Sequence, residues 1–226
     1  MVTTLLPRVL RALERFHAAR PWDHNAHYHR WILRRFPGRV GRALDVGSGS
    51  GDLARRLASR AGAVCGIDVD AAIVDRAREL TDPAAPVSFI VGDALREAPP
   101  GPYDALTCVA TIHHMPFTDA LTCFRQHLAP GGTLVVVGVY RPRSRSDYLI
   151  DAVAIPANVV MAWIKNRGRR APRPAAMTAP TRPATMTFAA IVREARHVLP
   201  GARTRRRLFW RYTLVWHAEA AYSARQ

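Results

Sequence analysis

Three glycines alternate with serines in the run Leu44-Asp45-Val46-Gly47-Ser48-Gly49-Ser50-Gly51-Asp52-Leu53, set between an apolar strand-like stretch and a helical pattern. Glycine at 47, 49 and 51 lets the backbone turn sharply and lets a ligand lie against bare main chain. The spacing is GxGxG, and Asp52 stands where a GxGxxG dinucleotide fingerprint has glycine or alanine. A pyrophosphate wants a helix N-terminus free of negative charge, so Asp45 and Asp52 argue for a ligand with cationic groups. Asp68 closes the next apolar run, Cys65-Gly66-Ile67-Asp68, where a carboxylate can accept from both hydroxyls of a ribose. Asp93, in Gly92-Asp93-Ala94, follows the third run and can accept from the exocyclic amine of an adenine. A fourth run ends in Cys108-Val109-Ala110-Thr111-Ile112-His113-His114-Met115. An imidazole at that edge titrates near neutral pH and can act as a general base or position an acceptor. The competing assignment has one of the two histidines buried and hydrogen-bonded and the other half exposed.

The elements that must hold these residues are βαβ units. Between residues 43 and 139, β-branched apolar runs alternate with helical periodicity, which implies a parallel sheet. Strands are predicted at Ala43–Val46, Ala63–Ile67, Val87–Val91, Tyr103–Val109 and Thr133–Val139. Helix faces are carried by Leu53 to Ala58, Ile73 to Leu80 and Ala120 to Leu128. Pro130-Gly131-Gly132 reads as a turn and Asp70 as a helix N-cap. Two helical patterns precede the sheet, around Val9 to Phe16 and Tyr28 to Phe36, and cap its open end. On that cap Trp22 reads as packing and Tyr28 as facing the pocket, while His24 and His29 could close over the cofactor or equally be packing. Thr187 is placed to cap a helix with the apolar face Phe188, Ile191, Val192, Ala195 and Leu199. The alternation from Leu208 to Trp216 reads as a last strand.

Four elements in this order resemble the class I S-adenosylmethionine-dependent methyltransferases, especially the small-molecule and quinone-type members. The likeness covers residues 43–139 well and the flanks loosely. It implies a Rossmann-like, seven-stranded, mostly parallel sheet with a reversed last strand and helices on both faces. Residues 1–40 would form an N-terminal helical cap on a methyltransferase domain at 41–226. Carried onto this chain, it implies that Asp45, Gly47, Gly49 and Gly51 cradle the methionine part of S-adenosyl-L-methionine. Asp68 then holds the ribose, Val69 and Asp93 with Ala94 the adenine, and Val109 the amino-acid moiety. His113 and His114 are the candidate catalytic residues, and His24 and Tyr28 the candidate cap contacts to substrate. The expected reaction is O- or C-methylation of a small molecule.

Charge leaves two other partners open. The chain carries 33 basic and 17 acidic residues, a formal net charge of +16. Residues 1–42 hold 9 basic and 2 acidic, residues 43–140 hold 7 and 11, and residues 141–226 hold 17 and 4. Basic flanks can draw nucleic acid, an anionic membrane or an anionic substrate. Nucleic acid is not favoured, because no Asn/Asp-Pro-Pro-Tyr follows strand four and no RNA-binding module accompanies the core. Peripheral membrane contact would use Tyr148 to Ile164 and adjoining arginines, giving access to a lipophilic acceptor. That run does not read as a transmembrane span, because Asp151, Pro156 and Asn158 interrupt it and 17 residues reach about 25 Å. Residues 165–186, with six basic residues and four prolines, are expected to be mobile. Cys65, Cys108 and Cys123 form no pair or zinc motif, so no metal is expected, and with no export signal at the N-terminus the expected location is cytoplasmic.

Overall fold

The computed structural model describes residues 2–36, 38–174, 177 and 182–220. The order of elements is α1 (Val2–Ala19), α2 (Ala26–Leu33), β1 (Val40–Val46), α3 (Asp52–Leu57), β2 (Ala61–Asp68), α4 (Ala71–Glu79), β3 (Val87–Val91) and β4 (Tyr103–Val109). A 3-10 turn (Ile112–His114) follows, then α5 (Phe117–His127), β5 (Leu128–Val139), α6 (Arg145–Lys165), α7 (Phe188–Val198), β6 (Arg203–Arg207) and β7 (Arg211–His217). The seven strands form one sheet in the order β3-β2-β1-β4-β5-β7-β6. All neighbours are parallel except β7, which runs antiparallel to both β5 and β6.

Successive side chains on a strand point to opposite faces, and the core divides accordingly. Leu44, Val46, Leu106, Cys108, Leu134 and Val136 pack on one face against α5 and α7. Ala43, Ala105, Val135 and Val137 pack on the other against α2, α3 and α4. Each fully buried leucine or valine here contributes roughly 1.5–3 kcal/mol relative to exposure. Small residues at Ala43 and Ala105 let the helices of that face lie close to the central strands. The N-caps read from the sequence hold: Asp70 accepts from the amides of Ala72 and Ile73, and Thr187 accepts from that of Ala190.

Three parts differ from expectation. The segment from Tyr148 to Ile164 is not interrupted; it lies within one continuous 21-residue helix that contains Pro156. Pro156 is exposed, on the side where water satisfies the carbonyl its missing N–H leaves unpaired. The chain has a strand at Arg203–Arg207 that apolar alternation could not show. It is an edge strand of arginines, a composition that blocks edge-to-edge association, and it turns into β7 through Phe209 and Trp210 at φ 60° and 59°. In the segment expected to be mobile, residues 166–171 are tied to the α1–α2 linker. The Asn166 side chain donates to the Pro21 carbonyl (3.1 Å), Arg20 donates to that of Gly168 (3.2 Å), and the Ala171 amide donates to that of Ala19 (3.1 Å). Residues 175–176 and 178–181 of that segment lie outside the described residues.

Candidate functional site

Parallel strands that all point one way put their carboxyl ends at one edge, and the reversal of strand order between β1 and β4 opens a crevice there. The glycine loop sits at the top of β1 and is fastened to the end of β2. The amides of Gly47 and Ser48 both donate to the Ile67 carbonyl (2.8 and 3.1 Å), and that of Gly49 donates to Asp68 Oδ2 (2.9 Å). Gly47, Gly49 and Gly51 are all left-handed, at φ 69°, 51° and 77°. Two of the three are glycine for reasons of space as well. A Cβ at Gly47 would collide with Thr111, and one at Gly51 with the Phe89 ring and Arg55, whereas Gly49 faces open space. Gly51 thus serves packing under the loop, and Gly47 and Gly49 line the crevice.

Asp45 is buried at the crevice floor and accepts a 2.6 Å hydrogen bond from the Thr107 hydroxyl. Burial pushes its carboxyl up to about 7, with the Thr107 bond pulling the other way and the charge of Asp68 adding to the rise. Asp52 does not carry the free charge expected of it, since Arg55 pairs with it at 2.6 Å. The loop's affinity for a cation therefore rests on Asp45. Asp68 is shared: Oδ1 accepts from the Asp70 amide (3.1 Å) and Oδ2 from Gly49, and each oxygen keeps a lone pair for a further donor. Val69, beside it, is 72% exposed.

Asp93 is engaged in its own turn, accepting from the Leu95 amide (2.9 Å) with Arg96 3.8 Å away. Ala94 is buried in the core, and its carbonyl accepts from the Cys123 thiol (3.7 Å). The cap expectations for Tyr28 and His24 are corrected. Tyr28 is buried under the sheet's end and donates to the Leu208 carbonyl (2.7 Å). His24 is bonded to Asn158 (2.9 Å) among Trp22, Phe209 and Trp210. His29 does reach the crevice, together with Asp23 and Asn25. Asn25 is fixed by two hydrogen bonds from Arg211 (2.9 and 3.2 Å). His29 is buried with Nδ1 unpaired, and burial lowers its pKa.

At the end of β4, Val109 lines the crevice, and Ala110 takes φ 52°, a conformation that costs a non-glycine residue about 1 kcal/mol or more. That kink sends the chain into the 3-10 turn and puts His113 on the wall of a second cavity, of about 220 Å3, with Ile112, Met115, Phe117, Met186, Ile191 and Tyr212. His113 Nδ1 is buried without a partner. Burial, then the neighbouring His114 and Arg211, hold the imidazole down at about 4, partly offset by the Arg182 main chain. His114 stacks on it, with ring centroids 4.1 Å apart, and does not line the cavity. Among the described residues no group of His, Cys, Asp and Glu is arranged to hold a metal.

The raised carboxyl of Asp45 has a measurable consequence. Its folded pKa lies above its unfolded value, so between about pH 4 and 7 the native state binds more protons, and the stability involved is lost as pH rises through 7. A ligand cation beside Asp45 favours the ionised form. Binding of such a ligand at pH 6 should release about one proton, and Asp45→Asn should release none, as read by calorimetry in buffers of different ionisation heat.

A sheet of this order, with one reversed strand and a glycine loop at the switch point between β1 and β4, defines a Rossmann-like α/β domain with a ligand crevice at that point. A family model described as "Methyltransferase domain" matches residues 43–132. An uncharacterized methyltransferase of Mycobacterium tuberculosis is 33% identical over 204 residues, covering 88% of this chain and 98% of the relative. The ubiquinone biosynthesis O-methyltransferase of Methylococcus capsulatus is 31% identical over 116 residues, covering 50% of this chain and 48% of that one. In fold, the chain is similar to the N-methyltransferase NodS of Bradyrhizobium japonicum in complex with S-adenosyl-L-homocysteine. The TM-score is 0.58 at 17% identity, over 92% of this chain and 97% of that one. The chain belongs to the class I S-adenosylmethionine-dependent methyltransferase family, and S-adenosylmethionine is its cofactor.

Proposed function

We propose that the enzyme methylates a hydroxyl oxygen of a small, mainly apolar acceptor held in the cavity beside His113. The observation that carries this reading is the buried, unpartnered Nδ1 of His113 in an apolar wall, immediately beyond the strand end that lines the cofactor crevice. The crevice fits the cofactor: it offers a buried carboxylate for a cation, two glycines whose bare backbone faces the opening, and an unpaired hydroxyl at Ser48. Asp45 with Gly47 and Gly49 would hold the amino-acid end, Asp68 the ribose, and Val69 and Asp93 the adenine. When bound, the cofactor supplies a methyl group already activated on a sulfonium.

The protein's own task is mainly to position. The cavity exceeds the roughly 150 Å3 that takes up benzene in an engineered apolar site, so it accommodates an acceptor with one aromatic ring. Burial keeps His113 neutral at physiological pH, with a lone pair ready to accept from the acceptor's hydroxyl. A weak base is enough, because the oxygen becomes strongly acidic as the methyl attaches and the sulfur takes back its electron pair. The proton passes to His113 and leaves to solvent with the methylated product.

The similarity to ubiquinone biosynthesis O-methyltransferases over half the chain supports an oxygen acceptor. Transfer of labelled methyl from S-adenosylmethionine should be seen with monohydric or dihydric phenols bearing an apolar substituent, and not with the matching anilines or with RNA. Preferential labelling of the amines or of RNA would overturn the proposal.

A further inference from the structure

The helix α6 is built inside out. From Ser146 to Ile164 its only charged residues are Asp147 and Asp151, and both belong to the half of the helix that meets the rest of the protein. Asp147 is buried and accepts from Arg206 at 2.7 Å. Asn158 is buried on the same side, within hydrogen-bond distance of Trp22, His24 and His17. Ala154 and Ala162 complete that side. The outward half carries Tyr148, Leu149, Val153, Val160, Trp163 and Ile164, each more than half exposed. At 3.6 residues per turn these six positions fall within one half of the circumference. A surface helix ordinarily has the reverse arrangement, and an apolar face this long marks a contact with something apolar.

Both ends of the helix are basic. Arg141, Arg143 and Arg145 lead in, and Lys165, Arg167, Arg169, Arg170 and Arg173 lead out. None of the eight is in an ion pair among the described residues. This pattern selects the occupant. Two copies joined through α6, parallel or antiparallel, would bring like charges together at both ends. A nucleic acid would satisfy the cations and leave the aliphatic face in water. An anionic lipid surface satisfies both, with acyl chains taking the apolar face and headgroup phosphates the arginines. Tyr148 and Trp163 stand near the two ends of the face, as aromatics do at a bilayer interface. By length and composition α6 could cross a membrane, but the inward bonds from Asp147 and Asn158 hold it along the domain. We propose that α6 lies in the plane of an anionic phospholipid bilayer and docks the enzyme on it.

The test is flotation of the full chain with vesicles of phosphatidylglycerol and phosphatidylcholine in equal parts, against phosphatidylcholine alone, at low and high salt. Binding is expected to the anionic vesicles, reduced by salt. Leu149→Glu with Val160→Glu should weaken it at least about tenfold while leaving S-adenosylhomocysteine binding unchanged in calorimetry. The blue shift of tryptophan emission on vesicles should be lost in Trp163→Phe, a milder change that serves if the double variant misfolds. Arg141→Gln with Arg143→Gln and Arg145→Gln should weaken binding and flatten its salt dependence. Absence of vesicle binding, equal binding by the α6 variants, or a concentration-dependent dimer abolished by Leu149→Glu would each overturn the proposal. So would tighter binding to RNA than to vesicles.

Discussion

Gly47→Ala is expected to lower the midpoint of thermal unfolding by about 5–15 °C and to weaken S-adenosylhomocysteine binding at least about tenfold. Two costs meet at this position. An alanine held at φ 69° is left-handed, which costs about 1–2 kcal/mol. Its Cβ would also run into the Thr111 side chain, and forcing an added carbon into packed structure costs about 1–3 kcal/mol more. In a chain of this size each kcal/mol moves the midpoint by about 2–4 °C. Gly49→Ala is the control, since Gly49 is equally left-handed but has open space where the Cβ would go. It should lose only the smaller amount. Combining Gly47→Ala with Thr111→Gly removes the collision and should recover part of the midpoint, leaving the backbone cost behind. The binding loss follows because relief of the collision must move either the loop away from β2, breaking the Gly47, Ser48 and Gly49 amide bonds, or Thr111 away from the end of β4. A Gly47→Ala protein with unchanged stability and affinity would show that the loop is not built as described.

The strands of the sheet are legible from their β-branched and apolar runs, most fully where a strand such as β4 is buried along nearly its whole length. β3 and β4 coincide with the runs Val87–Val91 and Tyr103–Val109, and the loop after β1 was readable from three glycines that the backbone itself requires. What was not legible depends on contacts between distant residues. α6 reads as broken at Asp151, Pro156 and Asn158, yet Asn158 belongs to its inward side with Asp147, and the tryptophan and arginine that donate to these two lie 136 and 59 positions away. β6 contains no apolar residue, so its position beside β7 has no periodic signal. Arg206 is folded over the Phe188 ring at 4.0 Å and onto Asp147, which makes it a structural residue.

The cap shows the same limit at finer scale. Helicity near Tyr28 was readable, but which side of α2 meets the crevice depends on its rotation about its axis. That rotation is set by Tyr28 bonding to Leu208 and Asn25 to Arg211, across 180 and 186 positions. Tyr28 is spent on one of those anchors, and His24 on Asn158. Asp23, Asn25 and His29 of the same short segment are the ones that reach the crevice, Asn25 while serving as an anchor. Asp23 also accepts from the amides of Asn25 and Ala26 (2.7 and 3.2 Å), so the first turn of α2 is capped by a residue that lines the site.

His113→Ala is expected to reduce turnover with a hydroxyl acceptor about a hundredfold at saturating cofactor, within the range that a positioned acid or base contributes. S-adenosylhomocysteine affinity should stay within a few-fold of the wild-type value, since His113 lines the acceptor cavity and not the crevice. Asp68→Ala should do the reverse. It removes hydrogen bonds to a charged group, each worth about 1.5–3 kcal/mol, which raises the cofactor dissociation constant about tenfold to a hundredfold per bond. At saturating cofactor its turnover should fall much less than that of His113→Ala. The pH profile separates a chemical role from a structural one. Because His113 is held neutral down to about pH 4, the wild-type rate should show no acid limb from this residue between pH 5 and 8. His113→Asn, which keeps an acceptor but no titratable base, should restore acceptor binding and leave most of the rate loss in place. Stability runs the other way from the Asp45 effect. His113 binds its proton more weakly folded than unfolded, so the protein should lose stability as pH falls from about 6.5 toward 4, and His113→Ala should lose less. If His113→Ala and His114→Ala both kept full turnover with the true acceptor, neither imidazole would take the proton, and the hydroxyl would have to be methylated as an anion formed before it enters the cavity.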